Sequence, residues 1–296
     1  MILVTGAAGL NGSAVVRELA KNRTPARALV RDRGKAAALD GSPGIEVFAG
    51  DMQRPETLGH ALAGVERVLL ISSADPAMAD TQSVFIDACK KAGVRYVIKF
   101  SGRESGRGFD ARKFRYTAMH EDVERYLERS GLAWSHLRPS QFMQVYLRET
   151  PTIMARGALF LPFEDIELAP VDIGDIAKAA YGLLVGSGHE NRAFDMTGPE
   201  ALTMAQIADC ISAAIGKEAR YVAVTLEERR KALLSAGTPS QMVDDLIDQA
   251  AERRKRPVSD IRLETHSLFR IRPTTFKEFA MRNAEIFRGL AGRLTA

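Results

Sequence analysis

Three glycines near the start of the chain are spaced in a way that suits the binding of phosphate groups. Gly6, Gly9 and Gly12 lie in the stretch TGAAGLNG, between the apolar run MILV and the helical pattern SAVVRELAKN. Glycines at this spacing allow a tight turn, a close approach of the backbone to a pyrophosphate, and close packing of helix on strand. Free N–H groups at the helix start, together with the helix dipole, attract the phosphates. An ordinary strand-to-helix turn is the alternative. The predicted dinucleotide contacts in this stretch are Gly6, Ala8, Gly9, Leu10, Asn11 and Gly12.

A charged residue at the end of the second predicted strand indicates which dinucleotide binds. This position meets the adenosine ribose about 20 residues after the glycines, and Arg31 occupies it here. An acidic residue would accept hydrogen bonds from both ribose hydroxyls, whereas an arginine offers a charged fork to a 2′-phosphate. The sequence therefore favours NADP(H) over NAD(H) as the cofactor. Asp32 follows directly, so NAD(H) stays possible as the cofactor. Alternatively, Arg31 is a solvated surface residue without a role in binding.

Short apolar runs alternate with helical patterns through the first half of the chain. The predicted strands lie at 1–4, 26–31, 45–52, 66–73, 95–102 and 132–139. This alternation is typical of βαβ units and a parallel sheet, whose ligands bind beyond the carboxyl ends of the strands. Further cofactor contacts are therefore predicted at those ends, at Asp51, Met52, Ile71, Ser72, Ser73, Phe100, Pro139 and Ser140.

The pattern predicts an α/β protein with a doubly wound parallel sheet of the Rossmann type. The dinucleotide-binding domain is expected at 1–150 and is completed by a helix and a strand within 170–198. A smaller, mainly helical C-terminal lobe for the substrate is expected at 151–169 and 199–296, with helices near 204–214, 226–235, 241–251 and 276–287.

Two segments near the predicted cofactor site could contact the substrate. The residues 102–115 are rich in glycine and arginine and predict a loop over the cofactor, although a solvated loop is the simpler interpretation of Arg103, Arg107, Arg112 and Arg115. After the sixth strand, Phe142, Met143 and Tyr146 provide apolar side chains that could form a substrate wall. Ordinary core packing is the alternative for these three residues.

The composition argues against several other classes of function. The net charge of +4 is small and dispersed, so no nucleic-acid partner is expected. No Cys/His cluster has metal-ligand spacing, and the apolar runs fall short of the ~20 residues that cross a bilayer. Cys89 and Cys210 lie in helical apolar patterns, which predicts reduced thiols in a cytoplasmic protein. Because the chain opens on its first strand, no signal peptide is expected. The oligomeric state stays open, with a homodimer as one alternative.

Several motifs together resemble the NmrA-like atypical short-chain dehydrogenases. They are TGAAGLNG, LVR at 29–31, GDM at 50–52, LLISS at 69–73, the H-x-x-x-E-x-x-L-x-x-S-G pattern at 120–131, LRP at 137–139, DIGDIA at 172–177 and MTGPEALT at 196–203. That family includes NADPH-dependent quinone, azo-dye and triphenylmethane-dye reductases, and also NADP-sensing regulators without turnover. The resemblance implies a reductase that passes hydride from NADPH to a conjugated small molecule. A non-catalytic NADP(H) sensor and a biosynthetic reductase or isomerase are the alternatives.

The resemblance also implies which residues are catalytic. Ordinary short-chain dehydrogenases carry Tyr-x-x-x-Lys, in which the tyrosine donates a proton and the lysine lowers its pKa. Tyr116 and His120 stand at that place, four residues apart and hence on one face of a helix. Tyr116 is then the predicted proton donor, His120 a contact to cofactor or substrate, and Ser101 the family's serine after the fifth strand. Atypical members often lack the tyrosine, so a structural role for Tyr116 is the alternative. Relatives often have asparagine where this chain has Gln144.

Overall fold

A computed structural model describes residues 1–39, 41–102, 110, 114–255 and 259–290. The predicted loop at 102–115 lies mostly outside the described residues, and with it Arg103, Arg107 and Arg112. The strands are β1 Ile2–Val4, β2 Ala26–Val30, β3 Ile45–Ala49, β4 Arg67–Leu70, β5 Tyr96–Phe100, β6 Ala133–Pro139, β7 Ala158–Leu161, β8 Glu167–Leu168, β9 Arg192–Met196, β10 Leu202–Thr203 and β11 Arg220–Ala223.

The helices separate and follow these strands. They are α1 Leu10–Lys21, α2 Gly59–Leu62, α3 Met78–Lys91, α4 Arg115–Arg129, α5 Thr150–Arg156, α6 Ile173–Val185, α7 Met204–Ile215, α8 Leu226–Ser235, α9 Ser240–Arg254, α10 Glu264–Leu268, α11 Phe276–Arg282 and α12 Ala284–Phe287. Short 3₁₀ helices lie at Arg33–Leu39, Pro55–Thr57 and Met143–Glu149.

The central sheet has seven strands in the order β3-β2-β1-β4-β5-β6-β9, and every neighbouring pair is parallel. The chain winds outwards from β1 in one direction and from β4 in the other. The carboxyl ends of β1 and β4 therefore flank the point where the strand order reverses, which is the usual ligand crevice of such sheets. The predicted doubly wound sheet is confirmed.

Both faces of the sheet are covered, because successive strand residues point to opposite sides. On one face, Val4 and Ile98 pack with Leu19 of α1 and Leu183 of α6. On the other face, Leu3 and Val97 pack with Phe85 of α3 and Val123 of α4. This second face also contains a buried layer of polar side chains under α4, which belongs to the candidate site.

A separate apolar cluster forms the core of the smaller lobe. It joins Leu159 of β7, Ile207 of α7 and Phe279 of α11, and it includes Met143 and Tyr146 from the 3₁₀ helix that follows β6. In this lobe β7 pairs with β11 in parallel and β8 with β10 antiparallel. The division of the chain at residue 150 stays a prediction.

Side-chain caps fix where helices of the smaller lobe begin and end. Thr203, Thr225 and Thr275 each form a capping box at the start of α7, α8 and α11, which satisfies two free backbone donors at each start. The helical stretch predicted at 276–287 is divided into two helices, α11 and α12. Asn283 has φ of −106° and donates from Nδ2 to the carbonyl of Phe279 at 2.8 Å, so it ends α11 before α12 starts.

Candidate active site

The glycine turn after β1 has the geometry that a close phosphate approach requires. Gly6 has φ of +58°, in the left-handed region, and its carbonyl accepts a hydrogen bond from the N–H of Gly9 at 3.0 Å. A Cβ on Gly12 would lie 2.2 Å from the same carbonyl oxygen. The turn therefore has no room for a side chain at position 12, and α1 starts directly against it.

The start of α1 fits a dinucleotide's phosphates. Gly9 precedes the first turn and gives it no side-chain cap, so the first N–H groups of the helix are free to bind an anion. The Oδ1 atom of Asn11 is buried there and accepts no hydrogen bond from the described residues. A buried acceptor without a donor is costly, so this atom suits a hydroxyl or amide donor of the bound dinucleotide rather than its phosphates, which only accept.

A threonine that the sequence analysis did not single out holds the two sides of the crevice together. The hydroxyl of Thr5 donates to the carbonyl of Ile71 at 2.6 Å and accepts from the N–H of Ile71 at 2.8 Å. Thr5 follows β1 and Ile71 follows β4, so this pair closes the ladder where the strand order reverses. Its position directly before the glycine stretch was the signal that could have identified it.

Arg31 lies at the carboxyl end of β2 with an exposed side chain. Its Nη2 atom is 3.5 Å from the hydroxyl of Ser73, beyond β4, and no carboxylate within the described ranges forms an ion pair with it. The carboxylate of Asp32 instead accepts from the N–H of Gly34 at 2.8 Å. Arg31 therefore lies at the crevice with an exposed guanidinium that pairs with none of the described carboxylates, whereas Asp32 is used in the turn that follows.

The other predicted cofactor residues lie around the same edge. Ser72 accepts a hydrogen bond at 2.7 Å from Nε2 of the buried Gln82, and Asp51 accepts from the N–H of Gln53 at 3.0 Å. Ser140 is buried and donates to the carbonyl of Ala169 at 2.6 Å. Ala8 is exposed, Leu10 and Ile71 are half-buried, and Met52, Phe100 and Pro139 are buried at strand ends.

Beneath the end of β5, a buried lysine contacts the predicted His120. The side chain of Lys99 is fully buried, and its Nζ lies 2.9 Å from Nδ1 of His120 and 2.9 Å from the carbonyl oxygen of Phe100. Burial lowers the pKa of Lys99 to about 7. Burial, and then the charge of Lys99, hold the pKa of His120 well below its usual 6.5, so the imidazole is neutral.

Further along α4, two carboxylates continue this polar layer. Glu124 is buried, accepts hydrogen bonds from both Nε and Nη2 of Arg138 at 2.9 and 2.6 Å, and also accepts one from Ser101. One turn later, Glu128 lies 3.0 Å from Nε2 of His136. Ser101, the predicted catalytic serine, therefore faces α4 from the sheet and donates its hydrogen bond to the Glu124 carboxylate.

Tyr116 lies in the first turn of α4, and its hydroxyl is turned towards the smaller lobe. The hydroxyl oxygen is 2.8 Å from Oδ2 of Asp245 on α9 and 3.2 Å from the carbonyl oxygen of Ala74. Arg115 donates to both the hydroxyl and Asp245, at 3.0 and 2.8 Å. Burial and then the hydrogen bond to Asp245 raise the pKa of Tyr116, which disfavours the phenolate.

Of the three candidate substrate residues, one lies at the edge of the crevice. Phe142 is half-buried, and its ring lies 6.2 Å from the ring of Phe100 in an edge-to-face contact. Met143 and Tyr146 are almost completely buried in the core of the smaller lobe, as the core-packing alternative expects. Gln144 donates to the carboxylate of Asp172 at 3.0 Å and accepts from the N–H of Ile173, so its amide is bound to the start of α6.

Two other kinds of site are absent from the described residues. None of the helices there combines the length and the apolar character needed to span a membrane. No cluster of three or more His, Cys, Asp or Glu side chains in the same part of the chain could hold a metal ion. Cys89 and Cys210 are free thiols on α3 and α7.

A parallel sheet with a glycine turn and an uncapped helix at its switch point, and an exposed arginine after the neighbouring strand, defines a dinucleotide-binding Rossmann protein. A sequence model of the NmrA-like family matches residues 1–280. The chain belongs to the NmrA-like family, and the predicted family is confirmed.

Three comparisons describe its relatives. The chain is 34% identical over 288 residues to the NAD(P)H azoreductase of Xenophilus azovorans, covering 97% of this chain and 99% of that one. It is 33% identical over 288 residues to the (4-alkanoyl-5-oxo-2,5-dihydrofuran-3-yl)methyl phosphate reductase of Streptomyces griseus, with 97% and 99% covered. The crystal structure of an NADPH-dependent quinone oxidoreductase from Escherichia coli, complexed with NADPH, aligns with a TM-score of 0.84 at 29% identity, over 95% of this chain and 99% of that one.

Proposed function

We propose that this protein is an NADPH-dependent reductase that transfers hydride to an electron-poor, conjugated small molecule such as a quinone or an azo compound. The observation that carries the proposal is the full-length similarity to the azoreductase. The predicted oxidoreductase class and NADP(H) as the cofactor are confirmed by the comparisons. The exposed guanidinium of Arg31 at the end of β2 supports the preference for NADPH over NADH.

The substrates in the names of the three relatives share one chemical property. A quinone and a 4-alkanoyl-5-oxo-2,5-dihydrofuran ring contain a C=C bond conjugated with carbonyl groups, and an azo group is a double bond between two electronegative nitrogens. Such a group accepts hydride readily, since the negative charge that forms is delocalised. The protein then needs to supply orientation and one polar contact rather than a strong acid.

The groups around the end of β5 suit a reduction that needs no strong acid from the protein. When bound, NADPH supplies the hydride. The glycine turn and the start of α1 would hold its pyrophosphate, and Arg31 its 2′-phosphate. The half-buried ring of Phe142 would orient a flat acceptor. The raised pKa of Tyr116 and the lowered pKa of His120 leave no strong acid at neutral pH. His120 would act as a neutral N–H donor that stabilises developing negative charge, with the final proton taken from water.

A panel of acceptors tests the proposal. Purified protein should oxidise NADPH in the presence of a quinone, an azo dye or an acyl-butenolide, and a saturated ketone should serve as the inactive control. Turnover with the ketone but with none of the conjugated acceptors would contradict the proposed acceptor class. Binding of NADPH without turnover of any acceptor would contradict the reductase itself.

A non-catalytic NADP(H) sensor is the second candidate. The contacts of Tyr116 favour this alternative. The hydroxyl that was predicted to donate a proton forms a hydrogen bond with Asp245 of the smaller lobe instead. A sensor would bind NADPH and change the contacts of that lobe without consuming the cofactor. Three further points stay predictions: that no nucleic acid is a partner, that the protein forms a homodimer, and that it is located in the cytoplasm.

A further inference from the structure

The polar layer between the sheet and α4 is ordered as a ladder. On α4, His120, Glu124 and Glu128 recur every fourth residue and so form one stripe. On the sheet, Lys99 and Ser101 of the β5 segment face them. They lie beside His136 and Arg138 of β6, and Lys99 and His136 are paired in register. The groups that face Lys99 are therefore His120 and Glu124 from α4 and His136 from β6. Such a layer is unusual, because the face of a parallel sheet under a helix is normally apolar.

The contact between Lys99 and His120 determines where the imidazole carries its proton. A neutral imidazole has one N–H donor and one acceptor nitrogen, and an ammonium group has donors only. Below a pH of about 7, where Lys99 carries its charge, its Nζ can only donate across the 2.9 Å contact, so Nδ1 of His120 is the acceptor. The proton of the ring must then lie on Nε2. The charge of Lys99 also opposes protonation of the ring, which keeps the imidazole neutral.

The Nε2 edge of the ring points to the carboxyl end of β5. A Cβ added to Gly102 would lie 2.3 Å from Nε2 of His120, so this edge reaches the backbone two residues beyond the strand. The ring is only partly buried, and none of the described residues accepts a hydrogen bond from Nε2. Among the described residues the N–H therefore has no acceptor, and it lies at the edge of the sheet where ligands of this fold bind.

We infer that Lys99 is a positioning residue, which fixes His120 with its proton on Nε2 and directs that N–H towards the acceptor at the carboxyl end of β5. Gly102 leaves the space that the ring requires in this orientation. The role of the N–H in turnover rests on the proposed reductase function, whereas the position of the proton does not. A neutral imidazole in this role stabilises negative charge on the acceptor without transferring its own proton.

Nitrogen NMR of the His120 ring tests the inference without turnover. In ¹⁵N-labelled protein, the ring signals of His120 are identified by their loss in His120→Gln. They should show a neutral ring with a protonated Nε2 and an unprotonated Nδ1. In Lys99→Met, which removes the amine and keeps a similar volume, a population with a protonated Nδ1 should appear. Glu128→Gln is the matched control, since it removes a charge from the same stripe two turns away and should leave the His120 signals unchanged.

Kinetics then link the position of the proton to the reaction. Lys99→Met should lower kcat about tenfold or more while leaving KM for NADPH nearly unchanged, as expected for a donor that acts in the transition state. In the His120→Gln background, where the side-chain amide supplies N–H groups without help from Lys99, Lys99→Met should cause no further loss. A protonated Nδ1 in the unmutated protein would overturn the inference, whether or not the variant folds. Unchanged ring signals in Lys99→Met would also overturn it. Absence of turnover with every acceptor would refute the proposed function instead.

Discussion

Arg31 is the residue on which the choice between the two nicotinamide cofactors depends. Its guanidinium is exposed at the end of β2 beside Ser73, and a 2′-phosphate would receive charged hydrogen bonds there. We expect Arg31→Ala to lose about 1.5–3 kcal/mol of NADPH binding free energy, the usual value of hydrogen bonds to a charged group. NADH affinity should change little.

Fluorescence titration of both cofactors measures this effect. Arg33→Ala is the matched control, because Arg33 is an exposed arginine two residues further along, at the start of a 3₁₀ helix. Equal affinity of the unmutated protein for NADPH and NADH would contradict the assignment. So would an equal loss in the two variants.

Glu124 makes the stability of the fold depend on pH in acid. Burial alone raises the pKa of Glu124, but the hydrogen bond from Arg138 and the neighbouring charges outweigh it and lower the pKa to about 2. Because the folded pKa lies below the ordinary 4.5, the stabilisation is complete above pH 4.5 and is lost as the pH falls towards 2. The loss should be on the order of 3 kcal/mol.

Urea unfolding at a series of pH values between 2 and 7 tests this prediction. Glu124→Gln should flatten the profile below about pH 4.5, whereas Glu128→Gln, with its carboxylate at the exposed end of the same stripe, should leave the slope as it is. An unchanged acid slope in Glu124→Gln would show that other carboxylates are responsible.

The position of Arg31 could be predicted from the sequence, and that of Lys99 could not. Arg31 has a fixed distance from the glycine motif, so counting residues was enough. A lone lysine in an apolar strand gives no such signal, since lysine is rarely buried. Its partner is 21 residues away on a different element. Only the fourth-residue spacing of His120, Glu124 and Glu128 could have indicated an inward-facing polar stripe.

At the scale of elements, the turn between β1 and α1 depends on Gly12. A methyl group there would collide with the Gly6 carbonyl, a backbone atom that cannot move without shifting the turn. We expect Gly12→Ala to lower the free energy of unfolding by about 1–3 kcal/mol, as is typical for overpacking. NADPH affinity should fall as well, because the phosphate turn is displaced.

Thermal and urea unfolding, with NADPH titration, measure both effects. Gly59→Ala is the matched control, since Gly59 starts α2 and a Cβ there would meet no atom within 4 Å. That variant should be unchanged or more stable by up to about 1 kcal/mol. Equal stability of Gly12→Ala and the unmutated protein would show that the turn can adapt.

Elements with a strong periodic pattern could be predicted, and short elements set by tertiary contacts could not. The long helices α3 and α9 and the seven sheet strands follow the pattern of apolar residues in the sequence. The pair β8 and β10 has two residues in each strand, too few to give any periodicity. The break between α11 and α12 depends on one side-chain hydrogen bond of Asn283, which competes with the helix backbone.

At the scale of the whole molecule, ion pairs and hydrogen bonds connect the sheet domain to the smaller lobe. Asp172, which caps the start of α6, accepts from Arg282 of α11 at 2.6 Å. Asp175 accepts from the N–H of Thr274 at 2.7 Å. On the other side of the crevice, Tyr116 and Arg115 of α4 meet Asp245 of α9. These polar contacts join the smaller lobe to the sheet domain, and sequence patterns do not reveal which residues form them.

These contacts lead to a test that decides the role of Tyr116. The Tyr116 hydroxyl forms a hydrogen bond with Asp245, and its pKa is raised. We therefore expect Tyr116 to connect the two lobes rather than to donate a proton. Tyr116→Phe should then cost about 1.5–3 kcal/mol of unfolding free energy, as for one hydrogen bond to a charged group, and should keep at least about half of the turnover, which a lost general acid would not allow. Asp245→Asn is the companion variant, and it should change stability and turnover in the same direction, since it weakens the same contact.

A proton donor would behave differently: Tyr116→Phe alone would lower turnover by about 10²–10⁴ with NADPH affinity unchanged, and Asp245→Asn would have little effect. Steady-state kinetics and urea unfolding of the two variants side by side separate these outcomes, because a contact between lobes requires both to change together.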